Sequence, residues 1–86
     1  MKIVMYSSLL CPYCSAAKVL LSKLKLQYEE ILIDNKPEVK EQMIKKSKRQ
    51  TVPQIFFGKK HIGGYDEFEE KYKNGEIFKL INEKEI

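Results

Sequence analysis

Ile3-Val4-Met5-Tyr6-Ser7-Ser8-Leu9-Leu10-Cys11-Pro12-Tyr13-Cys14 runs from a strand pattern into a helix pattern, with a cysteine pair at the junction. Ile3 to Tyr6 is a continuous apolar run containing a β-branched pair, the pattern of a buried strand. From Pro12 to about Lys25, Ala17, Leu20, Leu21 and Leu24 fall on one helical face, with Lys18, Ser22, Lys23 and Lys25 largely opposite. Proline is favoured at the first helical position, where its missing N–H costs nothing, so Cys11 is expected at the N-cap. An N-cap side chain accepts from backbone N–H groups two and three residues on, here those of Tyr13 and Cys14.

Outward from that junction the elements alternate. Tyr28 to Ile33 reads as a second strand, ended by Asp34-Asn35. Asn35 is expected to cap the next helix, with Pro37 in its first turn and Val39, Met43 and Ile44 as its buried stripe. Gln54 to Phe57 and Lys60 to Ile62 are short strands joined at Gly58-Lys59, a hairpin by turn chemistry. Gly63-Gly64 breaks the chain. Phe68 and Tyr72 mark a third helix closed by Asn74-Gly75, and Ile77, Leu80 and Ile81 mark a fourth. A right-handed βαβ unit supplies two parallel strands and the hairpin adds two antiparallel ones. The expected class is α/β: one four-stranded mixed sheet with helices on both faces, in the order βαβ-α-ββ-α, the terminal helical part falling in two pieces.

Length and composition agree with that economy. The 86 residues suffice for a single domain spanning 1–86. A chain this short buries roughly 60 to 65% of its unfolded surface. Hydrophobic residues make up 43% and charged residues 33%, a globular balance. With no tryptophan, four phenylalanines and five tyrosines must supply the large core pieces. Two serines interrupt the apolar start, so no secretory signal is expected, and no stretch approaches the ~20 apolar residues of a membrane span. The expected location is the cytoplasm, where a cysteine pair is more often catalytic or metal-binding than structural. Net charge is +4, with seven basic residues and one acid between Lys40 and Lys60, and seven acids against four lysines from Gly64 onward. No aromatic platform or arginine-rich run accompanies the basic stretch, so it reads as a solvated face rather than a nucleic-acid site, or as mild steering of small anions.

The cysteines carry the chemistry. A thiolate at Cys11 would meet aligned N–H donors and the positive end of the helix dipole together. Lowering a thiol from its usual pKa of ~8.5 by three units takes about 4 kcal/mol. The dipole supplies at most ~2 kcal/mol, leaving the remainder to hydrogen bonds or a cation. Cys14 lies one turn into the helix, within reach of Cys11 but more buried. This asymmetry assigns Cys11 as attacking nucleophile and Cys14 as resolving thiol, the two closing a redox-active disulfide. A ring over two intervening residues restrains little of the unfolded chain, so a purely structural bridge is a poor explanation. Zinc usually needs four ligands, and the two cysteines with lone His61 do not supply them, so no metal is expected. His61 reads as an exposed strand residue rather than a catalyst.

Cys11-Pro12-Tyr13-Cys14 resembles the active site of dithiol glutaredoxins, in the thioredoxin-like superfamily. Thr51-Val52-Pro53-Gln54-Ile55-Phe56 and Gly63-Gly64-Tyr65-Asp66-Glu67 extend the resemblance in order and spacing over essentially the whole chain. It implies a glutathione-dependent oxidoreductase that reduces protein disulfides and protein–glutathione mixed disulfides. Glutathione is then the reducing co-substrate, no cofactor is tightly bound, and the chain acts as a monomer on protein clients such as ribonucleotide reductase. It further implies a cis bond at Val52–Pro53, although only ~5% of X–Pro bonds in folded proteins are cis. Val52 would pair its backbone with glutathione, while Asp66 beside helix N–H groups would meet the γ-glutamyl end. Gly64 would permit close approach, with Tyr13, Thr51 and Tyr65 lining the groove. Many relatives carry a lysine or arginine shortly before the nucleophile, where this chain has Ser7-Ser8-Leu9-Leu10. Arg49, or Lys48 or Gln50, is the substitute expected to hold the glycyl carboxylate, with weaker glutathione binding and a less supported thiolate. The alternatives left open are a redoxin fed by thioredoxin reductase and a glutathione-ligated two-iron, two-sulfur cluster carrier.

Overall fold

In the computed structural model, which describes the backbone of residues 2–83 and side chains through 81, eight elements follow in order. They are β1 (Ile3–Ser7), α1 (Pro12–Lys23), β2 (Glu29–Leu32), α2 (Pro37–Ser47), β3 (Gln54–Phe57), β4 (Lys60–Gly63), α3 (Tyr65–Lys73) and α4 (Glu76–Glu83). The sheet order is β2-β1-β3-β4, parallel between β1 and β2 and antiparallel elsewhere. This is the expected mixed sheet, and the fold is thioredoxin-like. Of the charges counted from Gly64 onward, Lys84 and Glu85 lie outside the described residues.

The apolar run of β1 is divided by its pleat. Ile3 and Met5 join Ala17, Leu20, Leu21, Ile55, Phe57, Ile62, Phe68 and Ile77 in the larger core. Tyr6 joins Met43 and Phe56 on the opposite face, with Val4 packed against them. Successive residues of a strand point to opposite faces, so a strand apolar at every position is a strand covered on both sides. α1, α3 and α4 cover one face and α2 the other.

Two helix boundaries differ from the sequence reading, and backbone hydrogen bonds explain both. α1 stops at Lys23 because Lys25 takes a left-handed conformation, φ 58°. The N–H of Lys25 then donates to the Ser22 carbonyl and that of Leu26 to the Leu21 carbonyl, the paired bonds of a Schellman ending. Asn35 does not cap α2. It occupies a left-handed turn position (φ 56°) closed by Lys36 N–H donating to the Ile33 carbonyl, which moves the cap to Lys36 with no side-chain hydrogen bond. Asparagine tolerates that conformation well, so the same residue type served a turn instead of a cap.

Candidate active site

β1 delivers the chain to the helix at Cys11. The segment Ser8–Leu10 is fixed by one carboxylate: Ser8 Oγ donates to Asp34 Oδ1 at 2.6 Å, and the Leu9 N–H donates to Asp34 Oδ2 at 2.9 Å. Those two bonds, the hydroxyl first, hold the Asp34 carboxyl below the usual carboxylate range. Cys11 follows as N-cap in extended conformation, with Pro12 opening the helix. Its Sγ accepts the Cys14 N–H at 3.1 Å and lies 3.6 Å from the Val52 carbonyl oxygen, toward which the thiol points. Of the two N–H donors expected from spacing, only that of Cys14 is engaged.

The two sulfurs differ as expected. Cys11 is partly exposed, whereas Cys14 is buried at 1% exposure. Burial, followed by its hydrogen bond with Cys11, pushes the Cys14 thiol up to about 12. Lys18, one helical turn further on, works in the other direction on Cys14. Its ammonium pairs with Glu30 at 2.7 Å, and Glu30 also accepts from the buried Ser7 hydroxyl at 2.5 Å.

Beside Val52 lies an open groove of about 370 Å³, lined by Tyr13, Arg49, Thr51, Val52, Pro53, Gly64, Tyr65, Asp66 and Glu67. All eight residues singled out from the motifs outside the cysteine pair are brought together there; Lys48 and Gln50 are not among the lining residues. The Val52–Pro53 bond is cis. Tyr13 and Tyr65 face one another across 6.3 Å. Asp66, in the first turn of α3, is exposed to solvent.

Three features at and beneath the groove go beyond the sequence reading. Glu67, to which the sequence reading gives no role of its own, accepts the Gly64 N–H at 2.7 Å and pairs with Arg49 at 3.2 Å. The Gly64 N–H bond and then the Arg49 guanidinium hold its carboxyl below the usual range. The spacing Gly64 to Glu67, N-cap to third helical residue, was the available signal. The glycine that the backbone demands is Gly63, at φ 116°, where a Cβ would meet Glu67 Oε1 at 2.8 Å. At Gly64 a Cβ would sit 3.4 Å from the Pro53 carbonyl oxygen. His61 is half-buried rather than exposed, because its Nε2–H donates to Gln54 Oε1 at 2.8 Å and its ring stacks on Phe56. Buried Gln54 in turn donates to the Thr51 carbonyl at 3.0 Å, supporting the turn that carries Val52 and Pro53. Among the described residues no three His, Cys, Asp or Glu side chains cluster as metal ligands.

Comparison with known proteins agrees with this geometry. A family model described as Glutaredoxin matches residues 3–62. A glutaredoxin of Pseudomonas aeruginosa is 36% identical over 80 residues, covering 93% of this chain and 95% of the relative. Glutaredoxin 1 of Rickettsia prowazekii is 46% identical over 81 residues, covering 92% of this chain and 85% of the relative. Among solved structures, a buckwheat glutaredoxin–glutathione complex superposes with a TM-score of 0.86 at 32% identity, covering 94% of this chain and 76% of that one. The glutaredoxin of Brucella melitensis gives 0.82 at 35% identity, covering 93% and 87%.

Proposed function

This chain belongs to the glutaredoxin family and has a thiol–disulfide oxidoreductase role, and we propose that glutathione is its reductant and that Cys11 is its nucleophile. The observation that carries the reading is the Cys11 sulfur itself. It sits at a helix N-cap, accepts a backbone N–H at 3.1 Å, and adjoins Val52 at the edge of the groove.

The Cys11 thiolate attacks one sulfur of a substrate disulfide. A Cys11–substrate disulfide forms as the substrate's own S–S bond breaks, and the departing thiolate takes a proton from solvent. With a protein dithiol, Cys14 gives up its proton and attacks Cys11 Sγ. This forms the Cys11–Cys14 bridge and releases the second substrate thiol. One glutathione thiol then opens the bridge to a Cys11–glutathione disulfide, and a second releases glutathione disulfide, returning both cysteines reduced.

Cys14 is protected until its turn comes. Its thiol is held high partly by the hydrogen bond and charge of Cys11. Both influences disappear once Cys11 is tied in a mixed disulfide, while Lys18 continues to favour the Cys14 thiolate.

The groove accepts the tripeptide as an added strand. Val52 offers its backbone, Gly64 and Asp66 the amino-acid end, Arg49 the glycyl carboxylate, and Tyr13, Thr51, Pro53 and Tyr65 the walls. Glu67 occupies Arg49 in the free protein, so the incoming carboxylate competes with an ion pair. In this reading a single domain acts as a monomer in the cytoplasm on disulfide-bearing or glutathionylated proteins.

A coupled assay following NADPH oxidation tests it. With glutathione and glutathione reductase, wild type and Cys14→Ser reduce a glutathione mixed disulfide and Cys11→Ser is inactive. Turnover supported by thioredoxin reductase and not by glutathione would overturn the proposal.

A further inference from the structure

Leu9, Leu10 and Tyr13 are three of the five large apolar side chains that lie exposed among the described residues, at 70%, 95% and 62%. All three fall within three positions of Cys11. Scattered exposed apolar residues need no explanation, but a cluster around a reacting sulfur does. Tyr13 belongs to the groove already described; the two leucines do not.

Their exposure is enforced. The Asp34 carboxylate grips the Ser8 hydroxyl at 2.6 Å and the Leu9 N–H at 2.9 Å, and the Ile33 N–H bonds the Ser7 carbonyl at 3.0 Å. The segment between β1 and Cys11 is thus tied to the end of β2, and its leucines are held out in solvent.

We propose that Leu9 and Leu10 form the docking surface for the protein substrate and select a segment with an apolar side chain next to its reacting cysteine. The proposal rests on Cys11 being the nucleophile. To react, one sulfur of the substrate disulfide must come within about 3–3.5 Å of Cys11 Sγ, and the substrate cysteine's sulfur is either that atom or the one bonded to it, about 2 Å farther. One residue of extended chain spans only ~3.3–3.6 Å, so the residue flanking the substrate cysteine lies within side-chain reach of Leu10. No charged side chain lies in Ser7–Leu10 to favour a polar flank. Two leucines fall far short of the roughly 800 Å² per partner of a stable interface, which points to a transient client rather than a second copy of this chain. Glutathione does not need this surface, so the leucines discriminate among proteins without altering the co-substrate.

The test uses two peptides glutathionylated at one cysteine, identical except for Leu or Ser beside it, and a small glutathione–hydroxyethyl mixed disulfide. Wild type is expected to favour the Leu peptide about tenfold in kcat/KM, the worth of partly burying one such side chain. The Leu9→Ser/Leu10→Ser variant should lose that preference while turning over the small disulfide within twofold of wild type. No preference in wild type, or a preference that survives in the variant, overturns the proposal. So does a wild-type dimer in sedimentation that the variant dissolves. If the small disulfide is not turned over at all, the glutathione-linked reading fails instead. The two peptides then still decide the docking surface through single-turnover exchange at Cys11.

Discussion

Two sulfurs three positions apart in one helix turn meet different surroundings, and in the proposed mechanism that difference sets the order in which they react. Cys14 is sealed beneath the first turn with its thiol pushed up to about 12, so at neutral pH it is protonated and shielded. Iodoacetamide at pH 7 should therefore label Cys11 and leave Cys14 untouched until the protein is denatured, as read by peptide mass spectrometry; equal labelling of both would contradict the assignment. The folded value lies above that of an unfolded thiol, so the protonated form stabilises the fold below about pH 9, and this contribution fades as pH rises toward 12. Gly63 sets a second condition at this scale. Its φ of 116° strains any residue with a side chain, and a methyl group there would displace the Glu67 carboxylate, 2.8 Å away. Gly63→Ala should cost about 1–3 kcal/mol in urea unfolding. Gly75→Ala, at φ 83° with open space around it, should cost less. Equal losses would show that the crowding by Glu67 is relieved elsewhere. The N-cap cysteine was legible from Pro12 alone, because that rule is local. The pairing of Glu67 with Arg49 was not, since it joins residues eighteen apart across the cis turn.

At the scale of elements, the site is a meeting of three segments: the α1 start, the Thr51–Pro53 turn and the α3 start. Apolar patterning and turn chemistry located all four strands and all four helices. They missed the ends of α1 and α2, where a Schellman bond pair and a left-handed asparagine decide the boundary. Those are choices between local hydrogen-bond patterns of similar energy, which apolar spacing does not register. α3 is held to the sheet by Phe68, fully buried and edge-on to Phe57 at 6.0 Å. Phe68→Ala should cost about 3–5 kcal/mol and loosen the Gly64–Glu67 wall of the groove. Urea unfolding gives the stability loss and glutathione titration the weaker binding; a stable variant with unchanged affinity would mean that α4 alone positions α3.

For the whole molecule, sequence order and right-handed crossover were enough to give the sheet and its two covered faces. The charge pattern said less, because its meaning depends on which carboxylates find partners. Glu30 is lowered chiefly by Lys18 and then Ser7, and Glu67 chiefly by the Gly64 N–H. In both the folded pKa lies below the unfolded one. Their contribution is therefore present above the ordinary carboxylate range and lost as pH falls through the folded values. The urea midpoint should stay level near neutrality and fall on acidification below about pH 4.5, with a shallower fall in Glu30→Gln. A flat profile down to pH 3 would mean that these pairings exist equally in the unfolded chain.

Every step of the proposed reaction depends on Cys11 being an unusually ready nucleophile by virtue of where the fold puts it. The most direct measurement is the rate at which Cys14→Ser forms a mixed disulfide with glutathione disulfide at pH 7, followed by intact mass, beside an unstructured peptide carrying the same cysteine. The fold-held sulfur should react at least about tenfold faster, as an activated thiol does. A rate no greater than that of the peptide would contradict it.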